Sequence, residues 1–292
     1  MFPLSCDQKS YLGPILSSRL TNTYRTILLR RLDSADDLTR SAIVFSPHPD
    51  DETLGCGGTI ARKKQAGASV KVVIFTDGRK SHKHLIPESE LKRIREIEAR
   101  EATTTLGLEN NDLTMLEYED GVLVKNIEDA IKSVLVLLRN TTPDEVFIPY
   151  RWETPGDHWA VNKIVRIALQ QYKNEVTVFE YPIWFWANWP FVGFTIKRQR
   201  DIPKSICRAV VANYRLVKDF NTFIDIGDVL NIKKLALNKY RSQMTRLTPL
   251  EPWMTLGDVC NGRFMDCFLQ NQEIYFSYRS RSDQLASNVK RG

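Results

Sequence analysis

The 292-residue chain is 42% hydrophobic and 26% charged, ordinary for a globular protein and enough for a substantial core. Its formal charge of +6 and pI near 9.0 suit anionic partners such as phosphorylated sugars, acidic glycans or a membrane surface, while the dispersal of the basic residues argues against nucleic acid. No apolar run approaches the roughly 18 residues of a membrane span, the opening MFPLSC lacks a basic-then-apolar leader, and the five cysteines show no paired spacing; a cytoplasmic protein with buried free thiols and no thiolate metal site is expected.

In chain order, residues 41–46 (SAIVFS) read as a buried parallel strand, followed by a Pro-, Asp- and Gly-rich loop over 47–58 and a helix over 59–66. The run 69–76 (SVKVVIFT) is a second strand, closed by the Asp77-Gly78 turn. Residues 79–88 carry charge and little apolar content, which predicts a mobile, lid-like loop before a helix from Glu88 to Leu106, with Gly107 as its C-cap. Basic residues over 60–65 and 92–100 read as solvated helix faces.

Strands over 113–118, 145–150 and 176–181 alternate with helices over 126–139 and 157–171, and an aromatic stretch (Trp184, Phe185, Trp186, Trp189, Phe191) precedes a helix over 228–244. Core packing is the simpler reading of the aromatic stretch, although such faces also stack on sugar rings. This β-α alternation predicts an α/β fold: a Rossmann-like, mostly parallel sheet with helices on both faces, plus a C-terminal α+β elaboration.

The segment Pro47-His48-Pro49-Asp50-Asp51-Glu52 puts one imidazole and three carboxylates directly after the first strand, at the carboxyl edge where doubly wound sheets bind ligands. Two prolines stiffen it. A hydrolytic zinc site takes three nitrogen or oxygen ligands and leaves a position open, so His48 and Asp51 need one more donor from His82, His84 or His158. His158 follows the strand over 145–150 and hangs over the same edge, whereas His82 and His84 fall in the charged loop and read as solvated. Gly55, Gly57 and Gly58 suit a tight turn into the next helix and lack dinucleotide-binding spacing.

The run VFSPHPDDETLGCGGTIA from Val44 to Ala61 resembles the signature of the LmbE/PIG-L family of zinc-dependent N-acetylglucosamine deacetylases. Thr76-Asp77-Gly78, Arg95, Glu98, Asp120-Gly121, Asp157-His158, Glu180-Tyr181-Pro182 and the segment 234–243 agree in the family's order. The similarity implies an N-terminal extension over 1–40, a deacetylase domain over 41–278 and a polar, basic tail over 279–292.

The resemblance implies a Zn2+ ion held by His48, Asp51 and His158, Asp50 as general base, and Arg95 and Asp120 as substrate-binding residues. Many relatives carry a histidine at the position of Pro155, so the general acid is left open between Asp50, Glu153 and Tyr150. Asp157 reads as a partner behind a ligand or a helix cap, and Glu52 as an acceptor that orders the loop. The implied substrate is a small molecule, glycan or glycolipid carrying an N-acetylated amino sugar, and the basic charge suits an anionic one; an amidase on a larger sugar conjugate and a noncatalytic sugar- or nucleotide-binding protein are the alternatives. An oligomer is compatible with the sequence.

Overall fold

Eight strands form a single sheet in the computed structural model, which describes residues 27–153, 156–189, 192, 202–248 and 253–280. They are β1 (Asp33–Ser34), β2 (Ala42–Ser46), β3 (Val70–Thr76), β4 (Leu113–Tyr118), β5 (Glu145–Pro149), β6 (Thr177–Tyr181), β7 (Thr222–Asp225) and β8 (Gln272–Arg279), in the order β1-β7-β8-β6-β5-β2-β3-β4. All neighbouring pairs are parallel except those of β8, which runs antiparallel to β6 and β7. The helices are α1 (Asp51–Gln65), α2 (Glu88–Thr105), α3 (Ile127–Thr141), α4 (Asp157–Tyr172), α5 (Ile202–Lys218), α6 (Leu230–Leu237), α7 (Arg241–Met244) and α8 (Arg263–Asp266).

Every residue of β2 is buried, and its side chains alternate between two cores. Ala42 and Val44 face a core with Leu54 and Ile60 of α1, Ala99 and Ala102 of α2, and Leu237 of α6. Ile43 and Phe45 face a second core with Val134 and Leu138 of α3 and Ile164 and Val165 of α4. Helices therefore cover both faces, as expected. The winding reverses where β5 returns beside β2 instead of extending past β4, so the crevice between the β2 and β5 carboxyl ends is the topological switch point.

Three local expectations are corrected. The first concerns α1, which starts at Asp51 rather than near residue 59, so the glycines lie inside the helix instead of in a turn before it. Glycine inside a helix costs about 1 kcal/mol relative to alanine. Here close packing requires it, because a Cβ on Gly55 would collide with the Tyr181 ring and one on Gly58 with the Ile226 side chain.

Second, the helix expected over 228–244 divides into α6 and α7, separated at Asn238–Tyr240; the buried Tyr240 hydroxyl donates to Glu52 at 2.5 Å across the core. Third, the 79–88 segment is not uniformly solvated. His82 is buried, its ring stacks on Trp253 at 4.2 Å, and its Nε2 lies 2.8 Å from the Met254 carbonyl oxygen.

Two further cations leave the solvated faces proposed for them: Lys63 is buried against Glu145 at 2.7 Å, and Arg95 is buried beside Asp50. Cys56, Cys260 and Cys267 are buried as expected, but Cys207 on α5 is exposed. Phe191, Pro155 and most of the N-terminal extension and C-terminal tail lie outside the described residues.

Candidate metal centre

The chain leaves β2 at Ser46, and Asp50 takes φ 121°, a left-handed conformation costly for a residue with a Cβ. That kink lets α1 begin at once, with Asp51 and Glu52 in its first turn, where acidic groups complement the helix dipole. Glu52 behaves as the expected loop-ordering acceptor: its carboxylate receives the Asp50 amide, the Thr53 hydroxyl and the Tyr240 hydroxyl, while the Ser46 hydroxyl accepts the Glu52 amide. Burial raises its pKa against these hydrogen bonds.

His48, Asp51 and His158 converge from the two strand ends. Asp51 Oδ2 lies 3.1 Å from His48 Nδ1 and 3.2 Å from His158 Nε2, and one donor atom from each residue falls within 4.8 Å of the other two. His158 Nε2 has no hydrogen-bond partner among the described residues even at that separation, so it is poorly aligned on the carboxylate although buried. Such an orphaned imidazole nitrogen beside a carboxylate fits a shared cation better than a hydrogen bond. Burial would raise the Asp51 pKa, but the two imidazoles hold it well below the usual carboxylate range. His82 and His84 do not join the cluster.

A second ring of acids faces the far side of His48. Its Nε2 lies 3.2 Å from Asp157 Oδ2 and 3.4 Å from Asp120 Oδ1. Asp157 also accepts the Gly121 and Leu123 amides at 2.7 and 3.2 Å, and Asp120 accepts the Lys80 amide at 3.1 Å, so both carboxylates are fixed by backbone. Asp157 is the first residue of α4, whose N-cap is Gly156, and its carboxylate lies behind His48. Burial opposes protonation of His48, yet hydrogen bonds to Asp120, Asp157 and Asp51 lift it well above the usual imidazole range. His48, Asp120 and Asp157 form a second donor set that could also hold an ion.

Asp50 projects beside this cluster without joining it. Burial pushes its pKa up to about 7 against the pull of Arg95, whose Nη2 donates to Asp50 Oδ2 at 3.3 Å and also to the Pro49 carbonyl oxygen. Arg95 Nε and Nη1 have no partner among the described residues. Glu98, one turn along α2 from Arg95, accepts the Ser242 amide and hydroxyl at 2.7 and 2.6 Å.

The other candidates separate. Glu153 is buried behind His158, with Oε2 4.0 Å from Nδ1, and accepts the Ile183 and Phe185 amides at 2.7 and 3.3 Å; burial pushes its pKa up to about 7 against the pull of His158. Tyr150 turns away from the cluster and donates to Asp219 at 2.5 Å, and burial drives its pKa far above the usual phenol range. Neither residue lines the cavity.

That cavity, about 310 Å³, has His48, Asp51 and His158 at its base and Asp50, Arg95 and Asp120 on its polar side. Its opposite wall is Trp184, Gln243, Leu256 and Phe264, with the Trp184 and Phe264 rings stacked at 5.0 Å. Of these, Trp184 and Gln243 lie in segments that the sequence singled out. The aromatic stretch divides: Trp184 lines the cavity, whereas Phe185, Trp186 and Trp189 are buried in the core. Gln243 sits in a segment whose motif resemblance could have marked it, but Leu256 and Phe264 lie in a stretch with no readable pattern.

Residues 43–169 match the family model described as PIG-L, GlcNAc-PI de-N-acetylase. A probable N-acetyl-alpha-D-glucosaminyl L-malate deacetylase 2 of Bacillus subtilis is 24% identical over 246 residues, covering 81% of this chain and 96% of that protein. The diacetylchitobiose deacetylase of Thermococcus kodakarensis is 25% identical over 213 residues, 70% of each chain. In fold, the chain is similar to N,N'-diacetylchitobiose deacetylase from Pyrococcus horikoshii, with a TM-score of 0.58 at 18% identity, covering 93% of this chain and 94% of that one.

Proposed function

Because residues 43–169 match the PIG-L family model, we propose that this protein is a zinc-dependent hydrolase that removes the N-acetyl group from an N-acetylglucosamine-containing sugar, glycan, glycolipid or glycoconjugate. The observation that carries this reading is the convergence of two imidazoles and one carboxylate at the base of a cavity, with a second acid, Asp50, held beside them by Arg95. The nitrogen and oxygen donors of His48, Asp51 and His158 are of the kind that would hold a hydrolytic zinc ion. When bound, the ion supplies Lewis-acid polarisation of the amide carbonyl and a lowered pKa for water.

The chain's own residues do the rest. Asp50, held by Arg95, takes the proton of the attacking water at its carboxylate and returns it to the departing amine. Asp50 alone fills both roles, because the Glu153 carboxylate is occupied by the Ile183 and Phe185 amides and Tyr150 points to Asp219. Asp157 holds the tautomer and orientation of His48, and Glu153 backs His158. The free N–H groups of Arg95 and the Asp120 carboxylate offer donors and an acceptor for sugar hydroxyls or a phosphate. The names of the relatives support an acetylated amino sugar as substrate, and the apolar Trp184 wall suits the face of a sugar ring.

The test is acetate release from a panel of N-acetylated sugars, together with metal analysis. Chelation abolishes release and zinc restores it, while a His158→Ala preparation contains far less zinc than the parent chain. Undiminished turnover in metal-free protein would overturn the assignment.

A further inference from the structure

Among the described residues, helix α5 packs one side against the protein. Ala209, Ala212 and Leu216 are buried, whereas Ile206, Val210, Tyr214 and Val217 are 47%, 60%, 60% and 38% exposed. Their spacing aligns them in one stripe along the helix, and a contiguous exposed apolar stripe calls for a partner. Arg208, Arg215 and Lys218 follow the stripe along one flank, and the helix contains no Asp or Glu.

The charge is concentrated in this part of the chain. Residues 191–218 hold seven Lys or Arg against the single acid Asp201, a local +6 equal to the formal charge of the whole chain. Beside the helix, Trp152 is 43% exposed with the Arg215 guanidinium 4.4 Å over its ring, and the Lys218 ammonium lies 5.2 Å from the Tyr214 ring. Exposed aliphatic groups flanked by cations, with Trp and Tyr alongside, are the composition of a helix that lies in a membrane interface.

We propose that the exposed face of α5, together with Trp152, docks this protein on an anionic lipid bilayer. A second copy of the chain fits the same face poorly, because a two-fold contact would bring its cations against their own images. Nucleic acid would engage the cations but leave the apolar stripe in water. The docking face is tied to the cavity. Trp189 Nε1 donates to Asn213 of α5 at 3.3 Å, and the same turn supplies Trp184 to the cavity wall; Trp152 lies in the loop that leads to His158. Docking therefore holds the cavity at the bilayer surface, within reach of headgroup-borne or membrane-proximal sugars.

The experiment is vesicle sedimentation of the full chain at low salt. Vesicles of equimolar phosphatidylglycerol and phosphatidylcholine should bind it at least tenfold more tightly than phosphatidylcholine alone, with a loss of about fivefold for each cation neutralised at Arg208 or Lys218. Val210→Asp combined with Tyr214→Asp should reduce partitioning more than tenfold at unchanged circular dichroism, and Trp152 fluorescence should be quenched by lipids brominated near the headgroup. Equal binding by parent and double variant, no preference for the anionic vesicles, or a dimer in solution that the double variant dissociates would each overturn the proposal. The inference stands apart from the hydrolytic reading: Asp50→Ala should bind vesicles as the parent does, whether or not acetate is released.

Discussion

The floor and the far wall of the cavity are built in opposite ways. The floor comes from two short loops at adjacent parallel strand ends, β2 and β5, and its donors are held by buried carboxylates close to those ends, one of them, Asp157, fixed in turn by the Gly121 and Leu123 amides after β4. The wall comes from Trp184, Gln243, Leu256 and Phe264, carried by separate segments after the parallel part of the sheet and brought together by packing. Reactive geometry thus depends on local chain direction at a switch point, while the shape offered to a substrate depends on long-range contacts. Damage to the floor should act on chemistry and metal; damage to the wall should act on substrate binding.

The largest effect is expected at Asp50. Asp50→Ala should lower kcat by about 10²- to 10⁴-fold, the usual contribution of a positioned acid or base, while zinc content stays near one per chain. Loss of zinc in step with activity would instead make Asp50 a ligand and erase its distinction from Asp51. Asp157→Asn comes next. It keeps the shape behind His48 but removes the charge facing Nε2, and should weaken zinc binding by about 10- to 100-fold, read by competition with a chelator. Unchanged zinc affinity would mean that Asp120 suffices to orient the imidazole.

Gly58→Ala tests the packing that presses α1 onto the floor's scaffold. Ala is the better helix former by about 1 kcal/mol, yet the added Cβ collides with Ile226, and overpacking of this kind costs about 1–3 kcal/mol. The net result should be a destabilised protein, measured by urea unfolding. Pairing it with Ile226→Ala should recover only part of the loss, because the second substitution removes the clashing Cδ1 and Cγ2 but keeps the Ile226 Cβ, 2.6 Å from the added methyl; a stabilised single variant would show that the helix can shift to accommodate the methyl.

The same contrast explains what was legible in the sequence. Strands β2, β3, β5 and β6 announce themselves because buried parallel strands need continuous apolar runs, and the candidate site stands out because His48, Asp50 and Asp51 are neighbours in sequence. The start of α1 was hidden, since Gly55, Gly57 and Gly58 signal a loop by propensity and only the Tyr181 ring and Ile226, far along the chain, make them favourable in a helix. His82 looked solvated because its neighbours are charged; Trp253 and Met254 bury it through contacts that no local pattern encodes. Leu256 and Phe264 are invisible for the same reason. Tyr150 erred in the other direction: its place at the strand end suggested a role, but the side-chain direction that takes it to Asp219 is set by packing against Phe185 and Phe220.

The smallest effect is expected at the wall, and it is the one that separates the two halves of the cavity. Trp184 is only partly buried, stacks on Phe264 and holds no polar contact with the three metal donors, so Trp184→Ala leaves their hydrogen bonds and the Asp50–Arg95 pair in place. Loss of one aromatic face from a sugar ring is worth about 0.5–1.5 kcal/mol. The variant should therefore raise KM by roughly 2- to 12-fold with kcat and zinc content nearly unchanged, the signature of lost uniform binding. Trp184→Phe should restore much of the affinity, because a flat ring is retained at the same stack. A fall in kcat at constant KM would mean that the wall positions the reacting amide as well as the sugar, and that the two halves of the cavity act as one.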